Sequence, residues 1–287
     1  MQPTTIGWCT HAVNPIRARR ATATDNRSGH YCEKIGPECK FCYSSAMQPR
    51  LFGLPEFQEQ RSMTGLDLFL DRRKLAGVRQ HRQPAALFWC DMTDLFGAWV
   101  PDAWLEECFA TMEATPWITH LLLTKRAQRL QAWMSAHYPT PLPHIWCGVT
   151  AGCQASADTL IPWLMQTPAA GRFLSIEPLL GPLTVGKLGP WHDPRRPCAV
   201  EVYPLLGCMA IPDHDWDVGK IAGVILGGES GGKRRPMELS WLAGVVAECQ
   251  AERVRVYVKQ DVALRPGQPG RIPEVLWALK ETPWRLP

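Results

Sequence analysis

From residue 85 onward the chain alternates short, uninterrupted apolar runs with stretches of helical period, and that alternation admits few folds. Ala85–Cys90, Ile118–Thr124, His144–Val149, Arg172–Glu177, Ile221–Leu226 and Arg255–Lys259 are the runs. Each has strand length and is too apolar for a strand with one wetted face. Between them lie Asp102–Ala114, Ala127–Ala136, Ser156–Met165 and Glu238–Gln250, the first with apolar side chains at Trp104, Leu105, Cys108 and Phe109, a helical spacing. Strands apolar on both faces and separated by helices make an α/β protein with a parallel sheet covered by helices. With Thr4–Trp8 added at the start, the count is about seven strands, which predicts a partial or complete (β/α) barrel. At 287 residues the chain is expected to form a single domain. Leu66–Leu75 reads as one more amphipathic helix, residues 16–31 as a basic insertion, and residues 183–220 as a proline-rich excursion of loops.

Ahead of that alternation stands Cys32-Glu-Lys-Ile-Gly-Pro-Glu-Cys39-Lys-Phe-Cys42-Tyr43. Three thiols in one Gly- and Pro-containing loop can converge on a metal centre. A structural zinc site closes with four ligands, whereas an iron-sulfur cube held by three cysteines leaves one iron open. The remaining cysteines, among the eleven of the chain, lie singly in apolar contexts such as Cys90, Cys108, Cys147 and Cys249. They read as reduced, buried small hydrophobes and not as a disulfide framework. A reducing, cytoplasmic compartment follows as the expectation. No apolar run approaches the roughly 20 residues that cross a bilayer, and Met1-Gln-Pro-Thr-Thr lacks a charged and then apolar leader, so no membrane association is expected. The net charge of +4 is too small for a protein that coats nucleic acid through its overall charge; binding of that kind needs a local patch.

Polar residues collect at the C-terminal ends of the apolar runs: Asp91 and Asp94, Thr124 with Lys125 and Arg126, Glu177, Glu229, and Lys259 with Gln260. In a β/α architecture these ends open on one face, where such folds place ligands. Asn14, Asp91, Asp94, Lys125, Arg126 and Lys259 are therefore candidate substrate contacts, although carboxylates at loop entries also serve as caps and ion-pair partners. Gly227 and Gly228 would let the main chain approach a ligand beside Glu229. In the basic insertion, Arg17, Arg19 and Arg20 are either solvated surface or a flap that holds phosphates.

The cysteine spacing, with Phe41 before Cys42, resembles the loop of radical S-adenosylmethionine (SAM) enzymes, although six residues separate Cys32 from Cys39 where that family usually has three. A closer resemblance is to the phage-associated three-cysteine-motif proteins. It runs through Asn14-Pro15, Cys39-Lys-Phe-Cys42-Tyr43, Asp91-Met-Thr-Asp94-Leu-Phe96, Leu123-Thr-Lys125-Arg126, Glu177-Pro-Leu-Leu-Gly-Pro182 and Gly227-Gly-Glu229-Ser-Gly231. The resemblance implies a [4Fe-4S] cluster on Cys32, Cys39 and Cys42, SAM chelating the open iron, and an external electron donor that drives cleavage of SAM to a 5′-deoxyadenosyl radical. It places Phe41, Tyr43, Glu177, Ile225, Gly227, Gly228 and Glu229 among the cofactor contacts. It also suggests a nucleotide or a modified base in phage DNA as substrate, rearrangement of a group on that base as the reaction, and the host cytoplasm as the location. The alternative is a non-catalytic, zinc-containing nucleic-acid-binding protein in which His11 or His30 completes the metal shell.

Overall fold

The computed structural model describes residues 1–22, 27–59, 63–195, 199–211 and 214–284, so parts of the basic insertion and of the 183–220 excursion lie outside the described residues. The chain is mixed α/β and divides into two compact units, Met1–Thr124 and Lys125–Arg285.

In the first unit, β1 (Gln2–Pro3), β2 (His11–Val13), β3 (Ile16–Arg20), α1 (Tyr43–Met47), β4 (Leu66–Leu70), α2 (Arg72–Gln80), β5 (Ala85–Trp89), α3 (Asp102–Glu113) and β6 (Ile118–Thr124) follow in order. The strands β1-β2-β5-β6 are neighbours in that sequence. β1 runs antiparallel to β2, while β2, β5 and β6 run parallel. Every residue of β5 is buried, as its unbroken apolar run demands for a strand covered on both faces. Leu105, Cys108, Phe109 and Met112 of α3 are fully buried, the i, i+3, i+4, i+7 stripe that seats a helix on a sheet.

The sequence places a strand at Thr4–Trp8, and the structure corrects it. The Thr4 hydroxyl accepts from the Ile6 amide and the Cys9 amide donates to the Ile6 carbonyl, so past Thr4, whose own amide still donates to the Thr10 carbonyl, a local turn replaces the expected strand. Leu66–Leu75 is likewise not one helix. Its first half is β4, paired with β3 in a two-stranded antiparallel sheet, and α2 starts only after Asp71, whose side chain accepts from the Arg73 amide. The cap sets the boundary that apolar periodicity blurs.

The second unit contains α4 (Ala127–His137), β7 (Ile145–Thr150), α5 (Gln154–Met165), β8 (Gly171–Ile176), β9 (Leu188–His192), β10 (Ala199–Tyr203), β11 (Cys208–Ile211), β12 (His214–Asp217), β13 (Ile221–Gly227), α6 (Leu239–Ala251), β14 (Arg255–Gln260) and α7 (Glu274–Trp277). Its parallel strands are ordered β7-β8-β13-β14. The expected loop-rich excursion is instead a four-stranded antiparallel sheet, ordered β12-β11-β10-β9. β10 alternates buried Val200 and Val202 with exposed Glu201, the period-two pattern of a half-wetted strand, and Gly207, at φ 80°, makes the turn into β11. Among the described residues, the strands of neither unit close into a ring.

Candidate functional site

In the first unit the C-terminal ends of β2, β5 and β6 carry Asn14, Asp91 with Asp94, and Thr124. Parallel strands put these ends on the same edge. The Asn14 amide donates to an Asp91 carboxylate oxygen at 2.6 Å and its carbonyl accepts from the Met92 amide at 3.0 Å, so β2 and the exit of β5 are stitched by one side chain. Cys90 provides the bend. Its φ of 61° is unusual for a residue with a Cβ, and its own amide still donates to the Val13 carbonyl. Burial pushes the Asp91 carboxyl upward against the hydrogen bonds from Asn14 and Tyr43, which pull it down. Asp94 is buried and accepts from the Phe96 amide and from the Thr124 hydroxyl at 2.7 Å, an arrangement that fixes the loop after β5.

The cysteine loop is fastened to that same exit at both ends. Before it, the Tyr31 carbonyl accepts from the Thr93 hydroxyl. After it, the Tyr43 hydroxyl donates to the Asp91 carbonyl at 2.7 Å and the Ser44 hydroxyl to the Met92 carbonyl at 2.6 Å. Gln48 joins the two sides: its amide donates to the Ser44 carbonyl and its side-chain oxygen accepts from the His30 amide, both at 2.8 Å. Gly29 allows this closeness, because a Cβ there would stand 2.5 Å from Gln48 Oε1 and 2.7 Å from Phe52 Cβ.

Cys39 is buried, Cys32 and Cys42 are half-buried, and no disulfide engages any of the three. The donor set fits the thiolate chemistry of an iron-sulfur cluster. Its arrangement is not preassembled: among the described residues no three His, Cys, Asp or Glu side chains are grouped to hold a metal ion. Phe41 lies beneath the Lys40 ammonium, 5.5 Å from its ring centre, and Tyr43 is exposed.

The histidines of the zinc alternative lie elsewhere in function. Arg17 Nη1 sits 3.0 Å from His30 Nε2, and Ile16 O lies 3.2 Å from Nδ1. Arginine only donates, so Nε2 accepts and Nδ1 donates. Burial, reinforced by the Arg17 charge and, more weakly, by Lys74, brings His30 down to about 3, leaving a neutral ring with both nitrogens committed. His11 begins β2, at the end of the strand opposite Asn14, with its ring centre 5.0 Å from that of His81.

Nor is the described part of the basic insertion a loose flap. Ile16–Arg20 is the strand β3, and Arg17 turns inward to His30 and to the carbonyl and hydroxyl of Ser28. Arg19 and Arg20 are exposed, Arg19 near Asp67 at 3.7 Å and Arg20 donating to the Gly53 carbonyl. Beside β2, a cavity of about 300 Å³ is lined in part by Val13, Asn14, Arg17, Phe52, Asp91 and Met92.

In the second unit the expected carboxylates are engaged by basic side chains. The Lys259 ammonium meets Glu177 at 2.6 Å, both side chains largely buried. Glu229 accepts from the Arg235 amide and from its guanidinium at 2.7 and 3.1 Å. A Cβ on Gly228 would stand 2.7 Å from Val262, so close packing of two backbones, not ligand approach, explains that glycine here. Ile225 is fully buried within β13, registered with Ser175 and Tyr257. Lys125 opens this unit and Arg126 caps α4, its carbonyl accepting from the Leu130 amide.

Sequence reasoning missed Thr93, Ser44, Gln48, Phe52 and Lys74. The spacing of Ser44 and Gln48, four residues apart just past Cys42, places them on one face of a helical turn and is the one signal that could have flagged the clamp.

An α/β unit with a thiol loop tied to the exit of its parallel strands defines the class of molecule. The chain belongs to the family described as "Protein of unknown function (DUF5131)", whose model matches residues 3–268. No curated protein and no solved structure matches it.

Proposed function

We propose that this chain is a radical SAM enzyme in which Cys32, Cys39 and Cys42 hold a [4Fe-4S] cluster at the exit of β2 and β5. The observation that carries the reading is the clamp on the cysteine loop: Tyr31 on one side and Tyr43 and Ser44 on the other are hydrogen-bonded to residues 91–93. A three-thiol loop pinned to a strand exit is placed where α/β folds bind ligands. When bound, the cluster supplies one-electron reductive cleavage of SAM, with the electron taken from an external donor.

The residues of the chain bind and orient. Cys32 and Cys42 keep partial exposure, so the loop can close as metal is loaded, coupling metal binding to local folding. Phe41 and Tyr43 give aromatic surface beside the sulfurs. Asp91 presents a carboxylate edge already oriented by Asn14, able to accept from an ammonium or a ribose hydroxyl. Contacts to SAM from Ile225, Gly227, Gly228, Glu229 and Glu177 rest on the family resemblance, and those of Glu177 and Glu229 require Lys259 and Arg235 to yield. The partial or complete (β/α) barrel, a nucleotide or DNA base as substrate, rearrangement of a group on it, and the exposed Arg19 and Arg20 as phosphate contacts belong to the same reading. A zinc-held binding module would need His30 or His11 as fourth ligand, and the committed ring of His30 speaks against it.

Purification without oxygen, followed by metal and sulfide analysis and by assay for 5′-deoxyadenosine with SAM and a chemical reductant, tests the proposal. Iron and sulfide with the broad visible absorption of thiolate-bound iron are expected. Replacement of all three cysteines by alanine is expected to abolish both the metal and the product. Stoichiometric zinc in the wild type, or product from the triple variant, overturns it.

A further inference from the structure

The cavity beside β2 is a binding site for a small organic anion, we infer, with a phosphate or carboxylate group received by Arg17 and Lys74 and its apolar body laid against Phe52 and Met92. All four residues line the cavity of about 300 Å³, a size at the lower end of small-molecule sites and too small for a polymer strand.

Charge carries the argument. Arg17 and Lys74 are half-buried, and among the described residues neither forms an ion pair. Among the described residues the Arg17 guanidinium is met by neutral acceptors, the His30 ring at 3.0 Å and the Ser28 carbonyl and hydroxyl at 2.5 and 3.0 Å. Asp71, the acid that acts on Arg17 through space, spends a carboxylate oxygen on the Arg73 amide. Lys74 has no side-chain partner among the described residues. The lining holds one carboxylate, Asp91, whose oxygens already accept from Asn14 and Tyr43. Arg17 and Lys74, with the Met1 ammonium close to Lys74, thus face a partly dehydrated space lined by a single carboxylate, whose hydrogen bonds go to Asn14 and Tyr43. Partly buried cations outnumber the acids near them, Asp71 and Asp91, and cations withdrawn from water with too little counter-charge are costly, a cost that a bound anion lowers.

The walls set the rest of the ligand. The Phe52 ring centre stands 5.9 Å from the Arg17 guanidinium carbon and 5.8 Å from the His30 ring, which meets it edge-on. An aromatic surface next to a guanidinium suits a flat apolar body attached to the anionic group.

Isothermal titration of the full-length chain at fixed ionic strength with phenyl phosphate, benzoate and benzyl alcohol tests this. Saturable one-to-one binding of an anion with none of the neutral alcohol is expected, and whichever anion saturates names the group. Lys74→Met is expected to weaken binding about tenfold or more, the effect of losing one charge-assisted hydrogen bond. Lys74→Arg is expected to keep it, as is Arg73→Met on the exposed side of the same helix. Binding by neither anion, equal binding of the alcohol, or wild-type affinity in Lys74→Met overturns the inference. The measurement uses no iron, reductant or SAM, so its outcome and that of the cluster assignment are separable.

Discussion

The hydroxyl of Tyr43 donates to the main-chain carbonyl of Asp91 at 2.7 Å, joining the residue after the last loop cysteine to the residue that leaves β5. The ring is otherwise exposed, so the hydrogen bond, not burial, is what Tyr43→Phe removes. The variant is expected to lose about 1 kcal/mol of stability, read from denaturant unfolding, and to be cut faster by protease within residues 32–42 under native conditions. An unchanged cleavage rate would show that the loop is fastened without this contact.

Asp91 itself should leave a mark on the pH dependence of stability. Its folded-state carboxyl lies above the ordinary aspartate value of about 3.9, because burial outweighs the hydrogen bonds from Asn14 and Tyr43. The folded state then binds the proton more tightly than the unfolded state. Charging Asp91 therefore works against folding, and stability falls as the pH rises from near 3.9 through the folded value. Asp91→Asn is expected to flatten that part of the profile, measured as unfolding free energy against pH between the acid limb and neutrality.

The parallel strands from β5 onward were legible because a strand covered on both faces must be apolar throughout, and Ala85–Trp89 and Gly171–Ile176 are buried at every position, whereas the three-residue β2 was not read as a strand. What escaped was structure set by single polar groups. Thr4 turned an expected strand into a turn and Asp71 cut an expected helix in two. The antiparallel sheet of residues 188–217 hid behind its prolines, although Val200-Glu201-Val202 alternates as such strands do. At the site, strand-end residues were readable from position alone. Their partners were not: the meeting of Asn14 with Asp91 spans 77 residues and that of Lys259 with Glu177 spans 82, and sequence spacing says nothing of contacts that distant.

Asp261 titrates in the opposite sense to Asp91. Burial would raise it, but the hydrogen bonds from the Arg271 side chain and amide and from the Val262 amide prevail and hold it below the usual range. Its contribution to stability is present above the unfolded value of about 3.9 and is lost as the pH falls through the folded value. Asp261→Asn is expected to cost about 2 kcal/mol at pH 7, the scale of hydrogen bonds to a charged group. That difference from wild type should shrink as both are taken into acid. A constant difference across the range would assign the loss to packing.

Gly29 is tightly enclosed beside the first unit's site. A methyl group there would stand 2.5 Å from Gln48 Oε1 and under 3 Å from the Phe52 side chain, while the Gly29 amide and carbonyl are both tied to Ala18, so the backbone has little room to retreat. Gly29→Ala must push Gln48 off the His30 amide and shift the ring that walls the cavity. We expect a loss of about 1–3 kcal/mol, the range for overpacking a filled position, in chemical denaturation. Because Phe52 and Arg17 share that wall, the same variant should bind phenyl phosphate or benzoate more weakly. Gln48→Ala in the Gly29→Ala background should recover part of the stability by removing the clash. A double variant no more stable than Gly29→Ala alone would place the strain at Phe52.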